Sequence, residues 1–80
     1  MKSVLVTGAS GGMGMAVTAM LRAAGYRVFA LDRAFSAQVP DDGVLQITAD
    51  VTDPASVQSA AETVRQHLEP HSQFLYAIVH

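Results

Sequence analysis

The stretch Val4-Leu5-Val6-Thr7-Gly8-Ala9-Ser10-Gly11-Gly12-Met13-Gly14 sets an apolar, partly β-branched run directly before a cluster of glycines. Its first three residues read as a short strand buried on both faces. From Gly12 onward Met13, Ala16, Val17, Met20, Leu21 and Ala24 recur at helical spacing, and Gly25 stands where a left-handed residue would close the helix. Outward from this unit, Tyr26 to Leu31 has strand composition and ends on Asp32. Residues 33–43 include Pro40, Asp41, Asp42 and Gly43, which leave room for a brief crossover only. A third strand is expected over Val44 to Thr48. Asp53-Pro54 then marks a helix start, because the carboxylate can cap free N–H groups and proline lacks the N–H that would be orphaned there. Val57, Ala60, Ala61, Val64 and Leu68 lie on one side of that helix until Pro70 ends it, and Phe74 to Val79 reads as a fourth strand before the final His80.

Strands alternating with helices predict an α/β fold with a parallel sheet in the order three-two-one-four, the N-terminal half of a doubly wound arrangement. With 80 residues, half of them hydrophobic, the chain reads as one domain at most. A chain of this size buries only ~60–65% of its unfolded surface. We therefore expect residues 1–80 to form a partial domain. A net charge of −2 with five Lys+Arg residues gives no electrostatic footprint for nucleic acid. No cysteine is present, which rules out disulfides and thiolate metal sites and is compatible with a reducing, cytoplasmic setting. Met1-Lys2-Ser3 and the apolar run after it are too short for a signal peptide or a membrane span. His67 and His71 stand four apart with Pro70 between them, and no third ligand accompanies them, so no metal site is expected. Met13, Met15 and Met20 are read as packing residues, with the Met13 N–H also in the glycine turn.

A helix start that follows a strand through glycines offers N–H donors, a favourable dipole and close backbone approach, which together suit a pyrophosphate. In this reading Gly8 makes the tight turn, Gly12 clears space for phosphates and Gly14 lets the helix pack close to the sheet, while Ser10, Gly11 and Met13 belong to the same turn. The spacing Thr7-Gly8-x-x-x-Gly12-x-Gly14 resembles the cofactor motif of the short-chain dehydrogenase/reductase family. Gly11 also satisfies Thr-Gly-x-x-Gly-x-x-Gly, the form found in the family's extended, epimerase-like branch. The resemblance implies a Rossmann-type sheet and an NAD(P)-dependent oxidoreductase. It runs on through Asp32, Asp50-Val51, the Asp53-Pro54 helix and the apolar fourth strand. The brief second crossover and the residues around Asp32 and Phe35 resemble loosely the subgroup that oxidises 2,3-dihydro-2,3-dihydroxybenzoate.

Asp32 follows Gly14 by about 20 residues, the interval at which a carboxylate meets the adenosine ribose hydroxyls, and this favours NAD over NADP. Arg33 beside it either turns toward a 2′-phosphate or is a solvated charge after a strand. For Asp50-Val51 the resemblance implies an adenine contact; the alternative is that Asp50 solvates a strand end or caps a turn. The family's catalytic Tyr-x-x-x-Lys pair is missing: Lys2 is the only lysine, and neither Tyr26 nor Tyr76 has a lysine four residues on. The family usually continues its fourth strand into Asn-Asn-Ala-Gly or Asn-Ala-Ala-Gly, where this chain has His80. The expectation is a cofactor-binding part with no catalytic residue, inactive alone, from an enzyme that moves hydride between a nicotinamide cofactor and an alcohol or ketone. Two alternatives stay open: an extended-branch epimerase or dehydratase, and a non-catalytic dinucleotide sensor. Family members are often dimers or tetramers, so the resemblance also allows a homo-oligomer.

Overall fold

A computed structural model describes residues 2–35, 43–68 and 75–79. The elements are β1 (Ser3–Thr7), α1 (Gly12–Ala23), β2 (Arg27–Asp32), β3 (Val44–Thr48), α2 (Pro54–Leu68) and β4 (Leu75–Val79). All pairings are parallel and the sheet order is β3-β2-β1-β4, the expected α/β arrangement of Rossmann type. Most of the segment between β2 and β3, and the Pro70–Phe74 stretch with its proline stop and His71, lie outside the described residues.

The strand alternation sorts the core into two layers, because successive side chains leave a strand on opposite faces. Phe29 and Leu31 of β2, with Ile47 and Ala49, pack against Ala60 and Val64 of α2, and Leu5, Leu45 and Leu68 border them. Val28 and Ala30 of β2, with Val4, Val6 and Ala9, face the other way, where Val17 and Leu21 of α1 cover them. One helix on each face is what a parallel sheet needs to bury both of its surfaces.

Both helix ends have identifiable causes. Gly25 adopts φ 91° just after α1, and the Tyr26 N–H donates to Leu21 O at 2.9 Å while the Gly25 N–H donates to Arg22 O at 3.0 Å. This paired closure satisfies carbonyls that the helix itself leaves open. At the start of α2, Asp53 Oδ1 accepts the Ala55 N–H at 3.1 Å and Asp53 O accepts the Val57 N–H at 3.0 Å, the expected cap ahead of Pro54.

The inward faces of the helices differ from expectation. Met13, Met15 and Met20 are 84%, 58% and 70% exposed, so they are not packing residues, and Ala16 and Ala24 are exposed as well. Of the expected positions Val17 and Leu21 do face the sheet, half-buried, and the inward side of α1 is completed by half-buried Gly14 and by Thr18, which is buried. The close approach of Gly14 to the Gly8-Ala9 backbone sets the rotation of the helix, and Thr18 tolerates burial because its hydroxyl donates to Gly14 O at 2.9 Å. In α2, Val57 and Ala61 are exposed, while Ala60, Val64 and Leu68 pack inward as expected. Ser56 turns toward the sheet, its hydroxyl oxygen accepting the Asp50 N–H at 2.8 Å, and that tie rotates the first turn of α2 away from the apolar reading.

Candidate functional site

Three strands end side by side, and their C-terminal extensions build one cleft of about 310 Å³. Thr7 and Gly8 after β1, Leu31, Asp32 and Arg33 at the end of β2, and Ala49, Asp50, Val51 and Thr52 after β3 line it. The parallel register makes this convergence automatic, because all strands point their carboxyl ends the same way, toward the edge where such sheets bind ligands.

Gly8 has φ 65°, a left-handed conformation that costs most residues about 1–2 kcal/mol and glycine almost nothing. The chain then folds back across the top of β2, where the Ala9 N–H donates to Leu31 O at 3.1 Å and the Gly11 N–H to Gly8 O at 3.3 Å. At Gly14 a Cβ would overlap the Gly8 carbonyl oxygen and stand 2.7 Å from Ala9 Cα. Gly14 thus clears the turn backbone rather than a strand. A Cβ at Gly12 would meet no heavy atom within 4 Å, so the space beside it is open.

The N-terminus of α1 carries no side-chain cap and no acidic residue in its first turn. That of α2 is capped by Asp53. Uncapped N–H groups at the positive end of a helix dipole suit a bound anion, and Gly12, Met13 and Gly14 supply them.

Asp32 faces this turn. Its Oδ2 accepts the Ser10 N–H at 2.9 Å and the Ser10 hydroxyl at 2.6 Å, and its Oδ1 accepts the Arg33 N–H at 2.7 Å. These bonds, the Ser10 hydroxyl foremost, hold the carboxyl below its ordinary value, and the Arg33 charge adds to the effect. Asp50 Oδ1 accepts the Thr52 hydroxyl at 2.6 Å and the Thr52 N–H at 2.9 Å, which lowers that carboxyl too. Asp50 thus closes a turn, one of its two expected roles, and the same residue lines the cleft.

Of the ten expected site residues, Gly8, Asp32, Arg33, Asp50 and Val51 line the cleft. Ser10, Gly11, Gly12, Met13 and Gly14 form the adjoining turn and helix start, with Ser10 linking the two groups through Asp32. Thr52 and Ser56 escaped the sequence reading, although Asp50-x-Thr52 is a turn-forming pattern that marks Thr52. Tyr26 packs in the layer under α1, just before the N-terminal end of β2 and away from the cleft. His67 lies edge-on to Phe29 with Nδ1 2.8 Å from Thr63 O. Among the described residues there is no group of three His, Cys, Asp or Glu that could hold a metal, and no helix long and apolar enough to cross a membrane.

The donor set, the open space at Gly12 and the acid beside the turn fit a dinucleotide, and known proteins offer parallels. A family model described as short chain dehydrogenase matches residues 2–74. An oxidoreductase of the short-chain dehydrogenase/reductase family from Brucella ovis, in complex with a partially ordered NAD, is 32% identical, with a TM-score of 0.79, over 96% of this chain and 36% of that one. A second Brucella ovis structure, an oxidoreductase (short chain dehydrogenase/reductase), is 32% identical with a TM-score of 0.78, covering 98% of this chain and 34% of that one. The 3-ketoacyl-(acyl-carrier-protein) reductase from Brucella melitensis, complexed with NADH, is 27% identical with a TM-score of 0.78, covering 85% of this chain and 30% of that one. The chain spans about a third of the length of these solved structures.

Proposed function

The chain belongs to the short chain dehydrogenase family, and from that premise we propose that it is the NAD-binding part of an oxidoreductase acting on an alcohol or ketone. The observation that carries this reading is the Asp32 carboxylate in the cleft, beside a helix start that has no cap of its own. Gly12, Met13 and Gly14 would hold the pyrophosphate through backbone N–H groups, with Gly11 beside them allowing close approach. Asp32 would accept ribose hydroxyls, and Asp50 with Val51 would face the adenine. A 2′-phosphate would meet the negative charge of Asp32, which favours NAD over NADP, with the Arg33 guanidinium, among the described residues, as the one adjacent cation lining the cleft. When bound, the nicotinamide supplies hydride transfer, and the residues of this chain bind and orient it.

No tyrosine of the chain has a lysine four residues on, so these 80 residues contain no Tyr-x-x-x-Lys pair for proton transfer at the substrate. The neighbours complexed with NAD and NADH support the nicotinamide cofactor. The lack of cysteine is in keeping with a cytoplasmic setting.

Isothermal titration of the chain with NAD, NADH and NADP tests the proposal. Saturable binding with NAD tighter than NADP is expected; tighter NADP binding reverses the cofactor assignment, and no binding of any of them removes the function. The chain alone is expected to give no NAD reduction with a secondary alcohol, and measurable turnover would contradict that.

A further inference from the structure

The geometry points to Ser10 as a positioning and specificity-determining residue, one that grips the Asp32 carboxylate with two donors and thereby withholds those donors from a phosphorylated ribose. The inference rests on the dinucleotide-binding reading above. A carboxylate at an exposed strand end has a broad, roughly two-fold freedom about its last torsion. Asp32 does not, because Ser10 N–H and Ser10 O–H both close on Oδ2 and Arg33 N–H closes on Oδ1. Each carboxylate oxygen offers two acceptor positions, so Ser10 fills those of Oδ2 and leaves capacity on Oδ1 for a hydroxyl in the cleft.

The same three donors are what a phosphomonoester would use. With Asp32 in place they serve the protein's own anion, and an incoming 2′-phosphate meets like charge and donors that are already engaged. Removing the carboxylate returns the two Ser10 donors and the Arg33 N–H to that space. Ser10 therefore acts in opposite senses: with Asp32 present it supports NAD, and with Asp32 absent it supports NADP.

The test compares the whole 80-residue chain with Ser10→Ala, Ser10→Thr, Asp32→Ala and the Ser10→Ala/Asp32→Ala double variant. Each is titrated with NAD and with NADP, and folding is checked by amide NMR. Ser10→Ala should weaken NAD by about tenfold, the scale of one hydrogen bond to a charged group, and leave NADP nearly unchanged. Ser10→Thr, which keeps the hydroxyl, should restore NAD affinity. In the Asp32→Ala background Ser10→Ala should leave NAD unchanged and weaken NADP. An equal loss of NAD affinity in both backgrounds would mean that Ser10 touches the cofactor directly, and the inference falls.

A nucleotide-free readout separates this failure from that of the functional reading. The Asp32 carboxyl midpoint, followed by carbon NMR, should rise toward its ordinary value in Ser10→Ala and stay low in Ser10→Thr. Arg33 and Asp50, the other charged groups lining the cleft, are the same in every chain. If the midpoint moves as stated while no dinucleotide binds, the positioning role stands and the functional proposal fails. A midpoint unmoved by Ser10→Ala overturns the role whatever the titrations show.

Discussion

A methyl group at position 14 would collide with backbone atoms of Gly8 and Ala9, none of which can step aside. Gly14→Ala is therefore expected to destabilise the chain by about 1–3 kcal/mol. Gly12→Ala, where a Cβ meets nothing within 4 Å, should be neutral or add up to roughly 1 kcal/mol by restricting the unfolded chain. Urea unfolding of the two variants side by side checks this, and equal losses would mean that α1 does not need its close approach to the turn. The motif spacing marked both glycines, but only coordinates separate the one that is sterically required from the one that leaves space open. The Ser10–Asp32 link was illegible for a different reason: it joins residues 22 apart through a turn whose path the spacing does not reveal. Acid should expose these carboxylates. Asp32 and Asp50 lie below their ordinary 3.8, so their stabilising contribution is complete above that value and is lost as pH falls through the lowered folded-state values. Both are solvent-accessible, so the effect is small. Melting temperature followed from pH 7 down to about pH 2.5 should fall less steeply in an Asp32→Asn/Asp50→Asn variant than in the parent, and parallel curves would refute the linkage.

The two contacts of α2 with the clearest chemistry should differ in weight. Asp53 caps the helix by accepting the Ala55 N–H, so Asp53→Ala should cost about 1 kcal/mol. Glu62 pairs with Arg65 on the exposed side, with the two side chains 52% and 48% accessible in the order Arg65, Glu62. Glu62→Ala should therefore leave stability nearly unchanged, well short of the loss at the cap. Thermal unfolding of both variants decides between them, and a larger loss for Glu62→Ala would overturn the ranking. That Asp53 begins a helix was legible because a cap followed by proline is a local signal. The rotation of each helix was legible only in part: Val17 and Leu21 of α1 and Ala60, Val64 and Leu68 of α2 face inward as expected, while Met13, Met20, Val57 and Ala61 do not. The Gly14 side of α1 faces inward because the turn holds that end of the helix against the Gly8-Ala9 backbone, and Ser56 plays the corresponding part in α2 by bonding to Asp50.

At the scale of the molecule, strand order was readable because right-handed crossovers leave few arrangements for strands alternating with helices. The two-layer core followed from strand alternation, with Phe29 and Leu31 on one face of β2 and Val28 and Ala30 on the other. Surface exposure was harder to read. Ile78 on the edge strand β4 is 61% exposed, and the three methionines of α1 are uncovered, in a chain about a third as long as the solved structures it matches. So small a core leaves stability finely balanced, and binding free energy then weighs heavily. A ligand held at 100 times its dissociation constant stabilises the folded state by about 2.7 kcal/mol. In a domain of roughly 60–100 residues each kilocalorie shifts the melting point by about 4–8 °C. Saturating NAD should therefore raise the melting temperature of the chain by roughly 10–20 °C. The rise should grow with the logarithm of NAD concentration once the site is filled, since the linkage has that form and a nonspecific additive effect does not. NADP at the same concentration should give a smaller rise, and in Asp32→Ala the order of the two should narrow or reverse. A melting temperature indifferent to NAD at millimolar concentration would leave the cleft without its proposed ligand.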